Sequence, residues 1–187
     1  MSFKDIKGQD KPIQILKEYI KHSRLTGSYL FAGDDGVGKK LVAKTLAKAL
    51  NCEGQTLDSC DSCVPCLKIE KGQHPDIHII EGTVSPGVNL EPGQRTAAQD
   101  SDSIKIEYIR QLQKDINLKP YEAEKKVFII DNAHYLTPEA SNAILKILEE
   151  PPADTLIILI SSKPALLFKT IISRCKIIRF SPILRIQ

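Results

Sequence analysis

The sequence lacks any apolar run long enough to cross a lipid bilayer, and its first ten residues, MSFKDIKGQD, lack the apolar centre of a secretory signal peptide. It also lacks internal repeats and a strong excess of charge of one sign, since the formal net charge is only +3. A strongly basic nucleic-acid surface is therefore not indicated. These absences predict a soluble, intracellular protein without a membrane partner. A local basic patch remains an alternative to ordinary solvated charges, and its candidates are Lys105, Arg110, Lys114, Lys125 and Lys126.

Short apolar runs alternate with amphipathic segments along the 187 residues, of which 42% are hydrophobic and 26% charged. This composition fits one compact domain. The runs predict strands at 28–32, 76–80, 127–131, 155–160 and 176–180. The amphipathic segments predict helices at 11–22, 41–50, 104–116, 138–149 and 164–172. Strands separated by helices predict an α/β fold with a mostly parallel sheet covered by helices on both faces.

Residues 33–40 (GDDGVGKK) have the spacing of a phosphate-binding loop, and they lie between a predicted strand and a predicted helix, as such a loop requires. In an intact loop, Gly-Lys is followed by Ser or Thr, whose hydroxyl coordinates Mg²⁺. Here Lys40 stands in place of the hydroxyl, and we expect it to take part of the space and charge of the missing metal. The alternative is a glycine-rich turn that binds no ligand.

A second half-motif follows at 127–131 (VFIID), where a buried strand ends in Asp131, an acid that helps to hold Mg²⁺ in related sites. The general base expected at the next position is replaced by Asn132, and an amide cannot accept the proton of an attacking water. His134 is an alternative proton acceptor, although a histidine in a loop or at a helix start more often has a structural role. The two losses predict weak or metal-independent binding of ATP or ADP, or none, doubtful Mg²⁺ binding and no turnover.

Four of the five cysteines, Cys52, Cys60, Cys63 and Cys66, follow the pattern C-x7-C-x2-C-x2-C. This count and spacing predict a closed, tetrahedral, structural Zn²⁺ site in an inserted segment at 52–66. A disulfide is disfavoured in a reducing compartment, and iron–sulfur clusters use other spacings. Cys175 is distant in sequence and is predicted to be a small core residue.

Residues 83–103 are rich in Gly, Pro, Gln, Asp and Ser and have no hydrophobic period. They predict a flexible loop of unusual length inserted in the domain.

These features together resemble the AAA+ module of bacterial clamp-loader subunits over essentially the whole chain. The residues that carry the resemblance are 6–9 (IKGQ), the loop at 33–40, the four cysteines, His74-Pro75-Asp76, 131–134 (DNAH), 140–152 (ASNAILKILEEPP) and Ser173-Arg174-Cys175. The resemblance implies a P-loop NTPase fold over 1–187. The family continues into a small helical lid and an oligomerising collar, which are expected to lie outside this sequence.

Within that family, gamma and tau motor subunits look competent for ATP hydrolysis, whereas delta-prime subunits are typically stators with a degraded nucleotide site. Residues 74–76 and 103–110, with the losses at 40 and 132, resemble the delta-prime type. This likeness implies a component of the DNA polymerase III holoenzyme in the bacterial cytoplasm that helps to load the sliding clamp during DNA replication. The implied partners are gamma/tau and delta subunits, the beta clamp and primed DNA, contacted through its phosphate backbone.

The resemblance also assigns roles to single residues. Arg174 would be an arginine finger given in trans to a neighbouring ATPase subunit, and its alternative role is that of a surface arginine at a helix end. Ser161 or Ser162 matches the sensor position that reports the terminal phosphate, and either hydroxyl could instead cap the following helix. The residues expected to contact nucleotide are Gly33, Gly36, Val37, Gly38, Lys39, Lys40, Leu41, Asp131, Ser161 and Ser162.

Two other functions fit the same sequence. One is a motor ATPase of the gamma/tau type, in which water or another side chain replaces the missing hydroxyl and carboxylate; Lys39 and Asp131 keep this alternative open. The other is a zinc-stabilised interaction module that binds no nucleotide.

Overall fold

The computed structural model describes residues 1–54, 56–81 and 103–182. Its strands are β1 (Gly27–Ala32), β2 (Ile77–Ile80), β3 (Lys126–Ile130), β4 (Thr155–Ser161) and β5 (Lys176–Arg179). They form one sheet in the order β2-β3-β4-β1-β5, and each neighbouring pair is parallel. The parallel α/β fold predicted from the alternating pattern is confirmed. The carboxyl ends of the strands therefore lie at one edge of the sheet, where the candidate nucleotide loop emerges.

The helices are α1 (Asp10–Lys21), α2 (Lys39–Leu50), α3 (Val64–Glu70), α4 (Ile106–Ile116), α5 (Pro138–Glu149) and α6 (Lys169–Ile172). Short 3-10 turns cover Phe3–Asp5, Ala133–Tyr135 and Pro164–Leu166. In the described part of the chain, none of the helices combines the length and the apolar character that crossing a membrane needs.

The continuous helix predicted at 164–172 is wrong, because the chain is extended at Leu167 and Phe168 between the 3-10 turn and α6. This extended stretch inserts Leu167 into the core, where it is 6% exposed. Helix α3 was not predicted, since its seven residues are too short for a clear apolar period and its start is hidden among the cysteines.

Each face of the sheet carries its own hydrophobic core. Leu156, Ile158 and Ile160 of β4 pack with α1 and α2 on one face. Ile157 and Leu159 of the same strand point to the other face, where α4, α5 and α6 cover them. This alternation follows from the two-residue period of a strand, and it confirms that helices cover both faces. Cys175, predicted to be a core residue, is half-buried at the margin of the second core, and burial raises the pKa of its thiol to about 12.

Two further predictions concern the chain around the sheet. The loop predicted at 83–103 lies, except for Ser103, outside the described residues. The basic patch is reduced by one member, because Lys126 is buried and its ammonium donates to the carbonyl oxygens of Asp115 and Leu118 at 2.9 and 2.8 Å.

Candidate nucleotide and zinc sites

The glycine-rich loop connects the end of β1 to the first turn of α2 and borders a cavity of about 570 Å³. Gly36 and Gly38 have φ angles of 75° and 91°, in the left-handed region that glycine adopts without steric cost. Gly33 meets a different constraint, because a Cβ at this position would lie 2.6 Å from the carbonyl oxygen of Phe180. Glycine at these three positions therefore permits the backbone path that directs the loop over the N-terminus of α2, a favourable place for anions.

The side chain of Lys39 is folded back onto the loop. Its Nζ donates to the carbonyl oxygens of Gly33 at 2.7 Å and Asp34 at 2.5 Å. Burial lowers the pKa of Lys39, and the charges of Asp35 and Asp131 oppose that shift. The amine thus lies inside the loop, beside the position where phosphates bind in proteins with this motif.

Lys40 turns away from the loop and contacts two carboxylates. Its Nζ lies 2.6 Å from Glu81 Oε1 and 3.2 Å from Asp131 Oδ2. Partial burial lowers the pKa of Lys40, but its hydrogen bond to Glu81 and the charges of Glu81 and Asp131 outweigh burial and raise the pKa above its ordinary value. Lys40 is therefore a stable cation, and it engages the acid that would help to hold Mg²⁺ in an intact site. Because the Lys40 ammonium lies between the Glu81 and Asp131 carboxylates, the residues present do not fit a Mg²⁺ ion there.

The other candidates lie next to Asp131. Asn132, in the place of the expected general base, has a left-handed φ of 54°, and its backbone N–H donates to Asp131 Oδ1 at 3.0 Å. Ser161 is fully buried; its Oγ accepts the backbone N–H of Lys163 and lies 3.3 Å from His134 Nδ1. Burial and the charge of Lys163 lower the pKa of His134. The neighbouring Ser162 is half-buried.

Arg174 lies at the opposite edge of the sheet from the loop. It precedes β5, which runs parallel to β1 with Lys176 opposite Tyr29 and Arg179 opposite Ala32. The four residues of β5 span about 13 Å, at about 3.3 Å per residue. The guanidinium donates from Nε and one terminal nitrogen to Glu149 Oε2, each at 3.3 Å, and from the other nitrogen to the Thr170 carbonyl at 3.1 Å. Arg174 is therefore not brought together with the loop residues.

The four cysteines predicted as ligands converge, and their sulfur atoms all lie within 4.8 Å of one another. Cys52 follows α2, Cys60 and Cys63 come from the connecting loop, and Cys66 lies in α3. Hydrogen bonds, first from Ser62 and then from the Cys63 N–H, lower the pKa of Cys60 to about 5, whereas burial raises the pKa of Cys52 and of Cys66. All four are free thiols, and their number and spacing fit a tetrahedral Zn²⁺.

A buried lysine that the sequence analysis missed supports this cluster. Lys48 of α2 is 1% exposed, and its Nζ donates to Asp61 Oδ1 at 2.6 Å, Glu70 Oε2 at 2.8 Å and the Met1 carbonyl at 2.5 Å. Burial lowers the pKa of Lys48, but the hydrogen bonds to Asp61 and Glu70 outweigh it. The signal available in the sequence was a charged residue on the apolar face of a predicted helix. Lys48 joins α2 to Asp61 within the four-cysteine segment and to Glu70 at the end of α3.

The sequence is similar to that of known proteins over most of its length. The family model described as DNA polymerase III, delta subunit, matches residues 8–184. The chain belongs to this family. It is 37% identical over 175 residues to the DNA polymerase III subunit delta' of Bacillus subtilis, a match that covers 94% of this chain and 48% of that protein. It is 36% identical over 175 residues to the subunit tau/gamma of Haemophilus influenzae, covering 93% of this chain and 23% of that protein.

Two solved structures are similar to this chain in fold. The crystal structure of a DNA polymerase III, gamma subunit-related protein from Thermotoga maritima aligns with a TM-score of 0.57 and 21% identity, covering 90% of this chain and 45% of that one. A structure of RuvB from Thermotoga maritima aligns with a TM-score of 0.51 and 16% identity, covering 96% of this chain and 45% of that one. The AAA+ fold class predicted from the motifs is confirmed, and the chain spans about half or less of the relatives it matches.

Proposed function

We propose that this chain is the nucleotide-fold module of a clamp-loader stator, which helps to load the sliding clamp of DNA polymerase III onto primed DNA. The observation that carries the proposal is the placement of Arg174 at the sheet edge opposite its own phosphate loop. An arginine so placed cannot serve the chain's own nucleotide, and from its contacts with Glu149 and Thr170 it would meet a nucleotide bound by a neighbouring subunit. A guanidinium there would stabilise charge that develops on the transferred phosphoryl group.

Exposed apolar residues close to Arg174 in sequence support a subunit contact. Leu166, Phe168 and Ile177 are 64%, 45% and 41% exposed. Phe168 and Ile177 lie on either side of Arg174 in sequence, six and three residues away. Exposed apolar side chains around a charged residue are typical of interfaces in which a central contact is shielded from water. The partner we propose for this surface is a gamma/tau-type motor subunit.

The chain's own site would not hydrolyse ATP. Asn132 replaces the carboxylate that would activate water. The Asp131 carboxylate, which would help to hold the metal, forms an ion pair with Lys40. His134 does not supply the missing base, because its Nδ1 contacts Ser161 and both burial and the charge of Lys163 oppose its protonation. The site keeps the shape of a P-loop NTPase without the groups for turnover.

Other partners follow from the same assignment. In addition to gamma/tau, we propose contacts with a delta subunit and the beta clamp, and with DNA through phosphates, which would make DNA binding salt-dependent and independent of sequence. Zn²⁺ held by the four cysteines would be structural, because four protein ligands leave no open coordination position. The whole assembly would act in the bacterial cytoplasm.

The decisive experiment measures DNA- and clamp-stimulated ATP hydrolysis by a reconstituted complex that contains the full-length version of this subunit. We expect Arg174→Ala to lower the rate about tenfold or more at the neighbouring site, since arginine fingers contribute strongly to phosphoryl transfer. Lys39→Ala should leave the rate near normal. Arg179→Ala, which removes an exposed arginine from β5, is the control and should have little effect.

A motor ATPase of the gamma/tau type remains the second candidate, because Lys39 and Asp131 line one cavity. Equal loss with Lys39→Ala and Arg174→Ala, or Mg²⁺-dependent turnover by this subunit alone, would favour it. The third candidate, an interaction module without nucleotide, predicts that neither ATP nor ADP shifts the melting temperature and that Arg174→Ala leaves the hydrolysis rate intact.

A further inference from the structure

Lys40 lines the cavity beside the phosphate loop. Its ammonium contacts Glu81 and Asp131, so one cation lies between two carboxylates. Lys40 is in the first turn of α2, directly after the loop lysine, which is the position from which a hydroxyl reaches Mg²⁺ in an intact site. The longer side chain of lysine extends from that position to the acid that ends β3.

This arrangement opposes Mg²⁺ in two ways. It removes the hydroxyl ligand, and it places the Asp131 carboxylate in an ion pair with an ammonium. A divalent ion entering beside Asp131 would also meet the like charge of Lys40 at close range. The cation that the fold normally recruits from solution is thus replaced by one that the chain itself supplies.

The loop retains the features needed to bind phosphate. The N-terminus of α2 faces the cavity, and three lysines, Lys39, Lys40 and Lys44, contribute to its lining. Lys39 points into the loop, whereas Lys40 lies beside Asp131, the acid that would help to hold Mg²⁺ in an intact site. A polyphosphate in this cavity would have these lysines nearby, and it would compete with Glu81 and Asp131 for the Lys40 ammonium.

We propose that this site binds nucleoside di- or triphosphates without Mg²⁺, and that the Lys40 ammonium takes the place of the metal beside the phosphates. Binding involves no covalent step, since the groups for hydrolysis are absent from the site. This site is the chain's own loop, and nucleotide binding there does not depend on the role of Arg174. The two proposals can therefore be tested independently.

The test is calorimetric titration of ADP into the purified protein, once with EDTA and once with excess Mg²⁺. We expect the Kd of the natural protein to differ by less than about twofold between the two conditions. Lys40→Thr restores the hydroxyl and frees Asp131, so its binding should weaken about tenfold or more in EDTA and recover with Mg²⁺. Lys40→Met, which has neither charge nor hydroxyl, should bind weakly in both.

The matched control is Lys44→Met, which removes a positive charge from the same cavity but not from the side of Asp131. It should weaken binding equally in both conditions and leave the independence from Mg²⁺ intact. Thermal unfolding of each variant establishes that it is folded. Electron paramagnetic resonance of Mn²⁺ with ADP gives a second readout that needs no variant, because the natural protein should show no protein-bound ternary complex.

The inference is overturned if the natural protein binds ADP only with Mg²⁺, if it binds no ADP in either condition, or if it forms the Mn²⁺ ternary complex. None of these results would affect the proposed stator, whose test is the Arg174 variant in the reconstituted complex. Conversely, ADP could bind without metal while Arg174→Ala leaves ATP hydrolysis by the complex unchanged. That pair of results would support this inference and contradict the proposed stator function.

Discussion

The buried carboxylate of Asp76 accepts the backbone N–H of Glu122 at 2.8 Å. The same side chain accepts the N–H groups of Tyr121 and Ala123, also at 2.8 Å. Asp76 precedes β2, and its three partners belong to the segment that leads into β3. One carboxylate thus joins the starts of two neighbouring strands, at the sheet edge opposite the phosphate loop.

Replacing this carboxylate should destabilise the domain. Asp76→Asn keeps the shape but directs an amide NH2 toward backbone donors, so we expect the free energy of unfolding to fall by about 2 kcal/mol. Urea denaturation measures the change. Asp154→Asn, at an exposed site on the turn before β4, is the matched control and should change stability by less than about 0.5 kcal/mol.

The pH dependence of this effect has a definite sign. Burial raises the pKa of Asp76, but three backbone hydrogen bonds and the charge of Lys126 outweigh burial, and the folded-state pKa lies below the ordinary value. The stabilisation is therefore complete above the unfolded pKa of about 3.9 and is lost as pH falls through the folded pKa. The difference between the natural protein and Asp76→Asn should shrink in acid; a difference independent of pH would contradict this account.

Zinc binding is tested by metal content. We expect about one Zn²⁺ per purified chain, because four cysteines complete a tetrahedral site. Cys60→Ser should lose the metal and lower the melting temperature by about 5 °C or more. Cys175→Ser, the control outside the cluster, should retain it. Full stability after chelation would show that the segment folds without metal.

The contacts of Lys48 are expected to stabilise the folded domain. Lys48→Met fills similar volume but leaves Asp61 and Glu70 without their shared ammonium. Because these two carboxylates are 31% and 50% exposed and can regain water, we expect a loss of about 2 kcal/mol, less than for a fully buried pair. Lys44 is more exposed, and within the described ranges its ion pair is with Glu70, so Lys44→Met should lower the free energy of unfolding by less than about 1 kcal/mol in urea denaturation.

Glu149 is expected to position Arg174 for its proposed role in trans. Glu149→Gln removes the charge that holds the guanidinium, so stimulated ATP hydrolysis by the reconstituted complex should fall about three- to tenfold. Glu150→Gln, at the next exposed carboxylate, is the control and should leave the rate unchanged. In the Arg174→Ala background, Glu149→Gln should have no further effect, and an additive loss would mean that Glu149 acts elsewhere.

Features of the fold that depend on neighbouring residues could be predicted from the sequence. Hydrophobic runs placed the five strands, the four cysteines converged as their spacing predicted, and the glycines of the loop were recognisable by type. The broken helix at 164–172 could not be anticipated, because burial of Leu167 depends on the shape of the finished core. Tertiary packing overrides local propensity at such positions.

Long-range pairing of charges was also beyond sequence reasoning. Lys40 and Glu81 are 41 residues apart, and Arg174 and Glu149 are 25 apart. Nothing in the local pattern connects either pair, since the contacts arise only when the strands have taken their order in the sheet. The segment His74-Pro75-Asp76 contributed to the family resemblance, yet the role of Asp76 as a clamp for three N–H groups became visible only in the folded chain.

The close approach of Gly33 to Phe180 has a mechanical consequence. Phe180 directly follows β5, and Arg174 stands just before the same strand. The end of β5 therefore lies close to the phosphate loop, and Arg174 lies two residues before its start. All four residues of the strand pair with β1. The phosphate loop and Arg174 are therefore linked through one short strand, so a displacement of β5 would move both.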